Sequence, residues 1–187
     1  MVKVHLRKLV KKQRAQLSPK ELQLISEKVR AKIEQHFDFR GKTTNLFLPI
    51  EKFHEIDLFP LIDKIIEIDG TVCINKANFK SNTITPYLYS KQSRLKINSF
   101  GIPEPSEGDI VQQKEIDYVI VPLLAFNKKG YRVGYGKGFY DAFLSQCSEE
   151  TIFIGVNHFN ELYQIDDLGN HDIPLDFIIT PGKIYKF

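Results

Sequence analysis

Two hydrophobic rhythms alternate along the chain. Leu6, Leu9, Val10, Gln13 and Leu17 recur at helical spacing, so residues ~4–17 are expected to form a helix with one apolar stripe. Ser18-Pro19-Lys20-Glu21 reads as a capping box with Pro at the first helical position, and it opens a second helix whose stripe is Leu22, Ile25, Val29 and Ile33. A third helix is entered through LFPLI, with Asp57 as its cap, and runs to about Glu67. Between and after these lie short, wholly apolar runs: TNLFL, TVCI after the Asp69-Gly70 turn, DYVIVPL, TIFIGV and DFIIT. Runs of that length with no polar alternation suit strands buried on both faces, as in parallel sheets. Residues 75–115 are polar and read as irregular, with short extended pieces such as TPYLYS. The expected fold is therefore α/β: three layers, a mainly parallel sheet with helices on both faces, Rossmann-like. No repeat, low-complexity stretch or linker divides the chain, so residues 1–187 are expected to form a single domain.

The candidate chemistry concentrates where DYVIVPLLAF empties into a loop carrying Gly130, Gly134, Gly136 and Gly138. Arg132 and Lys137 sit among these glycines, and Asp141 follows as a new apolar helix pattern begins. Glycines let a backbone turn its N–H groups onto a ligand, and a helix N-terminus adds partial positive charge. Two cations in such a loop point to a polyanion, most simply a nucleoside triphosphate, with Asp141 placed to take a Mg²⁺ ion riding on it. The plainer reading is a tight strand-to-helix turn with solvated charges. The loop is neither a P-loop, since Gly138 follows Lys137, nor a dinucleotide fingerprint, since one residue rather than two precedes its last Gly. Sheets of this kind bind ligands beyond the carboxyl ends of their strands. Glu55, after TNLFL, and Asn157 and His158, after TIFIGV, reach the same end; a helix-start carboxylate and a hydrogen-bonded loop histidine are their plainer readings.

Apolar content of 42% and charged content of 26% are those of an ordinary soluble globular protein, and no run approaches the ~20 apolar residues of a membrane span. The N-terminus is charged throughout and has no apolar core, so no secretory signal is expected. Cys73 and Cys147 have no zinc spacing; reduced thiols in the cytoplasm are the expectation, with a single disulfide left open. Residues 1–40 hold eleven Lys+Arg and four Asp+Glu, a net +7, against −4 for the remainder. A basic N-terminal face can bind nucleic acid, but residues 1–35 lack interleaved aromatic residues, and a solvated helical face is preferred. On the first helix, Lys3, Arg7, Lys11 and Arg14 share a face that can reach over a phosphate site.

The run G-Y-R-V-G-Y-G-K-G-F-Y-D, Gly130 to Asp141, resembles the signature of the 5-formyltetrahydrofolate cyclo-ligase (5,10-methenyltetrahydrofolate synthetase) family. KVHLR near the start, Glu55 in HEID, GIPEP from Gly101 to Pro105, and HDIPLDFIITP near the end fall in that family's order, so the likeness spans nearly the whole chain. It implies an enzyme that converts ATP and 5-formyltetrahydrofolate to 5,10-methenyltetrahydrofolate, ADP and phosphate through a phosphorylated formyl group. It further implies Mg²⁺ carried with ATP, a cytoplasmic monomer, and neither nucleic acid nor membrane as partner. By residue, it implies ATP contacts from Lys3, Val4, His5, Leu6 and Arg7, and from Arg132, Val133, Gly134, Tyr135, Gly136, Lys137, Gly138, Phe139 and Tyr140. Arg7, Leu48, Glu55 and the stretch Tyr135, Gly136, Lys137, Gly138 and Phe139 correspond to folate contacts, with Glu55 holding the pterin. Lys137 and Arg132 are the implied catalytic pair, and Asp141 and Asp172 the Mg²⁺ ligands, with Asp172 favoured over Asp176. Departures from the pattern are Val133 for Leu, Asn127 for a turn Asp, Ala142 for a frequent Arg, and no Met in SNTITPYLYS.

Overall fold

The computed structural model describes residues 1–99 and 101–187. Its centre is a seven-stranded sheet. In chain order the strands are β1 (Thr43–Leu46), β2 (Thr71–Asn78), β3 (Thr83–Tyr89), β6 (Tyr118–Pro122), β9 (Ile152–Val156), β10 (Phe177–Ile179) and β11 (Ile184–Lys186). Across the sheet they run β11-β10-β9-β6-β1-β2-β3. The five inner strands are parallel, and β3 and β11 close the two edges antiparallel. Two hairpins stand apart: β4 (Leu95–Ile97) with β5 (Pro103–Pro105), and β7 (Ala125–Phe126) with β8 (Arg132–Val133).

The apolar runs explain why both sheet faces are covered. Along β6, Val119 and Val121 point to one face and Ile120 to the other, and all are fully buried. On the Ile120 face, α2 (Pro19–His36) and α3 (Phe59–Glu67) bring Val29, Ile33, Leu61, Ile62 and Ile65. On the opposite face, α4 (Phe139–Leu144) brings Phe143 and Leu144 against Val119, Val121 and Ile178. Each such Leu or Ile contributes on the order of 1.5–3 kcal/mol on removal from water. The three-layer α/β expectation holds.

α1 (Lys3–Ala15) lies across the carboxyl end of the sheet, where Leu6 and Val10 pack on Leu124, Ala125 and Val133 of the β7–β8 region. The capping box of α2 is present: Ser18 Oγ accepts from the Glu21 amide, and the Glu21 carboxylate accepts from the Ser18 amide at 2.8 Å. Asp57 serves α3 from one position earlier than a cap, accepting from the Phe59 amide at 3.0 Å; the cap position itself is Leu58.

The reading of residues 75–115 is corrected, while that of the cysteines as reduced thiols holds. Residues 75–115 are not mainly irregular: β2 runs on to Asn78 and pairs with β3 over seven residues. The polar composition reflects an edge hairpin with one wet face, and Pro86 is tolerated there because an edge strand needs no N–H on its outer side. The helix after the glycines spans only six residues, so few peptide dipoles align behind the loop. Cys73 and Cys147 are both free thiols, and burial raises them to about 12 and about 11, which leaves them as inert thiols. Among the described residues, no helix is long and apolar enough to cross a membrane.

Candidate active site

Beyond the carboxyl ends of β1 and β6, a cavity of about 490 Å³ opens between α1, the glycine loop and the 47–55 segment. The fold brings α1 there because its apolar stripe packs on the β7–β8 hairpin. Lys3, Arg7 and Lys11, on the adjoining face, thereby line the cavity. The loop's glycines let it close on α1. Gly136 has φ +97°, and a Cβ there would lie 3.0 Å from the Arg7 guanidinium carbon. Arg7 Nε donates to the Gly134 carbonyl at 2.8 Å, fastening helix to loop. Lys137 stands at the exposed part of the lining.

In one corner two ion pairs meet. Lys3 Nζ lies 2.5 Å from Asp172, which also accepts from the Gly169 amide at 2.6 Å. Arg132 is buried, donating to Asp141 at 2.8 Å and to the Ile173 carbonyl at 2.6 Å; Asp141 in turn accepts from the Ile173 amide at 3.2 Å. Burial lowers the Arg132 guanidinium pKa, and Asp141 and Asp172 oppose that shift. Burial pushes the Asp172 carboxyl up, but Lys3, the Gly169 amide and Arg132 together hold it below the usual carboxylate range. Both carboxylates line the cavity. Asp176 does not; it accepts from the Phe153 amide at 2.7 Å.

At the other end stands Glu55. Its Oε1 accepts from the Tyr135 hydroxyl at 2.6 Å and its Oε2 from the Ile50 amide at 2.9 Å. Burial raises its carboxyl above the ordinary range, against the pull of those two donors and of the Arg14 charge. Phe47, Leu48, Ile50 and Phe53 form the apolar wall, and Phe53 stacks on Tyr135 at 5.2 Å between ring centres and 27°. Asn75 reaches the lining from β2, exchanging amide hydrogen bonds with Asn45 and donating to the Tyr140 hydroxyl at 3.4 Å.

Most of the site residues expected from the sequence meet here: Lys3, Arg7, Leu48, Glu55, Arg132, Gly134, Tyr135, Gly136, Lys137, Gly138, Phe139, Tyr140, Asp141 and Asp172 all line the cavity. Val4, His5, Leu6 and Val133 do not. Val4 and His5 are exposed on the far side of α1, while Leu6 and Val133 are fully buried beneath it. One helix face cannot show five consecutive side chains to a single cleft. Asn127 shapes the turn, its side-chain oxygen accepting from the Lys129 and Tyr131 amides at 2.9 and 3.1 Å. His158 is buried outside the cavity lining. Its Nε2–H donates to the His54 carbonyl at 2.7 Å, and burial pushes it down to about 3, so it is neutral. Sequence reasoning missed Phe53, Asn75 and Lys52 as lining residues and placed Arg14 on the phosphate face, although its guanidinium is buried. No alternation in β2 marked Asn75, which follows three consecutive apolar residues.

The fold and the cleft define an α/β enzyme class whose ligands sit beyond the carboxyl ends of a parallel sheet, here with cations and carboxylates gathered at one corner. Comparison with known proteins makes that specific. The model of the 5-formyltetrahydrofolate cyclo-ligase family matches residues 1–181, and the chain belongs to that family. A 5-formyltetrahydrofolate cyclo-ligase of Escherichia coli (strain K12) is 27% identical over 184 residues, covering 96% of this chain and 100% of that protein. The Mycoplasma genitalium protein of the same description is 29% identical over 95% of this chain and 96% of its own length. The solved structure of Aquifex aeolicus 5,10-methenyltetrahydrofolate synthetase superposes with a TM-score of 0.84 at 32% identity, covering 100% of this chain and 93% of that one. The family's reaction is the ATP-dependent cyclisation of 5-formyltetrahydrofolate to 5,10-methenyltetrahydrofolate, a ligation that forms a C–N bond.

Proposed function

We propose that this cavity is where the chain carries out that reaction, with ATP phosphates at the Lys3–Arg132 end and the pterin at the Glu55 end. The observation that carries the reading is the separation of charge within one cleft: cations and paired carboxylates at one end, a carboxylate held by neutral donors at the other.

A formamide oxygen is a poor leaving group. Moving the γ-phosphoryl onto it makes an activated imidate-like species; the neighbouring folate nitrogen then attacks the formyl carbon, the ring closes and phosphate leaves. Such a transfer needs in-line positioning and charge neutralisation more than a protein nucleophile. Lys137, Lys3 and Arg7 supply cations, and the loop supplies backbone N–H groups. Arg132 is held against Asp141, so its part is to aim that carboxylate and add charge from behind it. Asp141 and Asp172 fit a Mg²⁺ ion that arrives on ATP, since such an ion takes one or two carboxylates and completes its shell with phosphate and water. The ion would offset the charge that develops in transfer. Glu55 offers its remaining lone pairs to paired pterin N–H groups, and Phe53 and Leu48 exclude water from the reacting centre.

The test is a split of binding. Glu55→Gln is expected to abolish measurable 5-formyltetrahydrofolate binding in calorimetry while Mg-ATP binds as before. Loss of ATP binding with folate binding intact would overturn the assignment of the two ends.

A further inference from the structure

Arg14 is 3% exposed, and none of the roles above uses it. Its NH1 donates to the Tyr135 hydroxyl at 3.2 Å and its NH2 to the Leu123 carbonyl. The Tyr135 hydroxyl in turn donates to Glu55 Oε1 at 2.6 Å. The Arg14 carbonyl accepts from His54 Nδ1 at 3.0 Å, so the residue before Glu55 is also tied to α1. A buried guanidinium is costly unless its hydrogen bonds are made; both terminal nitrogens of Arg14 make theirs, while its Nε has no partner among the described residues, so Arg14 is held by the Tyr135 and Leu123 contacts. Tyr135 sits between Gly134, whose carbonyl is held by Arg7 two turns earlier on the same helix as Arg14, and Gly136, which lies close beside the Arg7 guanidinium. Arg7 also lines the cavity, so a phosphate taken by its terminal nitrogens bears on the loop through the Nε–Gly134 bond, and thereby on the backbone that carries the Tyr135 hydroxyl to Glu55.

We propose that Arg14 is a positioning residue that orients Glu55 through the Tyr135 hydroxyl, and that this relay couples occupancy of the phosphate end to affinity at the pterin end. The proposal rests on the assignment of the two ends given above. Arg14 touches neither substrate; it acts only through Tyr135 and the 54–55 backbone. Two glycines flanking the tyrosine give the relay its freedom to move, and the Phe53 stack sets the direction in which it can.

The experiment measures the dissociation constant of 5-formyltetrahydrofolate with and without a saturating, non-hydrolysable Mg-ATP analogue, in wild type, Tyr135→Phe and Arg14→Lys. Coupling between sites is commonly 5–150-fold in affinity. The wild type is expected to show a ratio of about fivefold or more, and both variants a ratio near one. Tyr135→Phe removes one oxygen and keeps the ring stack, so it reports even if Arg14→Lys does not fold. A wild-type ratio of one, with both ligands bound, overturns the relay and leaves the proposed function standing. An undiminished ratio in Tyr135→Phe also overturns it. Failure of wild type to bind folate at all overturns both.

Discussion

At the end of the cleft beside the chain's first residues, Lys3 and Arg132 already lie against Asp172 and Asp141; at the Glu55 end the hydrogen bonds to the carboxylate come, among the described residues, from a hydroxyl and an amide, with the Arg14 charge behind the hydroxyl. The first arrangement stores charge in pairs that can exchange partners. A triphosphate with its metal ion can draw on the cations and the carboxylates together, so the corner need not bear bare like charges before the substrate arrives. The second arrangement leaves acceptor capacity unspent. Neutral donors fix the direction of the Glu55 carboxylate without neutralising it, which suits recognition of neutral N–H groups. On the proposed assignment, one cleft meets a polyanion by exchange and a heterocycle by preorganisation.

The contrast is broken most severely by removing charge that develops a role only during transfer. Lys137→Ala is expected to lower kcat/KM by roughly 2–4 kcal/mol, about 30- to 1000-fold, in steady-state assays; near-normal turnover would remove Lys137 from the phosphate end. Asp172→Asn takes away the Lys3 partner and one candidate metal ligand together. It is expected to raise the Mg²⁺ concentration for half-maximal rate by about 10- to 100-fold, measured by titrating the metal at fixed ATP.

The two ends also differ in what could be read before the structure was in hand. The grouping of residues at the end proposed for phosphates was legible because its parts are local: Arg132, the glycines, Lys137 and Asp141 lie within one short stretch, and Lys3 and Arg7 share a helical face. The start of α2 was legible for the same reason, its cap and acid being three residues apart. Glu55 was found by family order, but its setting was not. Tyr135 reaches it across 80 residues and Arg14 reaches Tyr135 across 121, through contacts that no periodicity encodes. Phe53 lies in a short 3₁₀ turn, Glu51–Phe53, without repeating pattern. The β2–β3 hairpin was masked by its polar outer face. Arg14 shares a stripe with Lys3 and Arg7, and only tertiary packing decides that it is buried while they face a cavity.

Acidity sharpens the contrast at the folate end. Glu55 is raised by burial, faced by Tyr135 and Arg14 and, through the field, by Tyr140. Its protonated form cannot accept two N–H donors, so the sign is fixed: folate KM is expected to climb as pH falls through the raised pKa. The climb should begin above the ordinary glutamate value of about 4.3 and reach up to about tenfold per unit. A profile of folate KM against pH in wild type checks this; a KM flat down to the ordinary value would show that Glu55 does not bind as a carboxylate. The smallest effect belongs to the loop itself. Gly136→Ala places a Cβ at positive φ against Arg7 and is expected to raise the ATP KM by roughly fivefold, about 1 kcal/mol, with folate KM following if the ends are coupled.

The most direct measurement mixes purified protein, Mg-ATP and 5-formyltetrahydrofolate and follows the absorbance of methenyl-folate, with ATP omitted in a parallel sample. An absorbance rise that needs ATP, matched one for one by ADP, is the expected result. A folded protein that gives no rise, or a rise indifferent to ATP, would contradict the account.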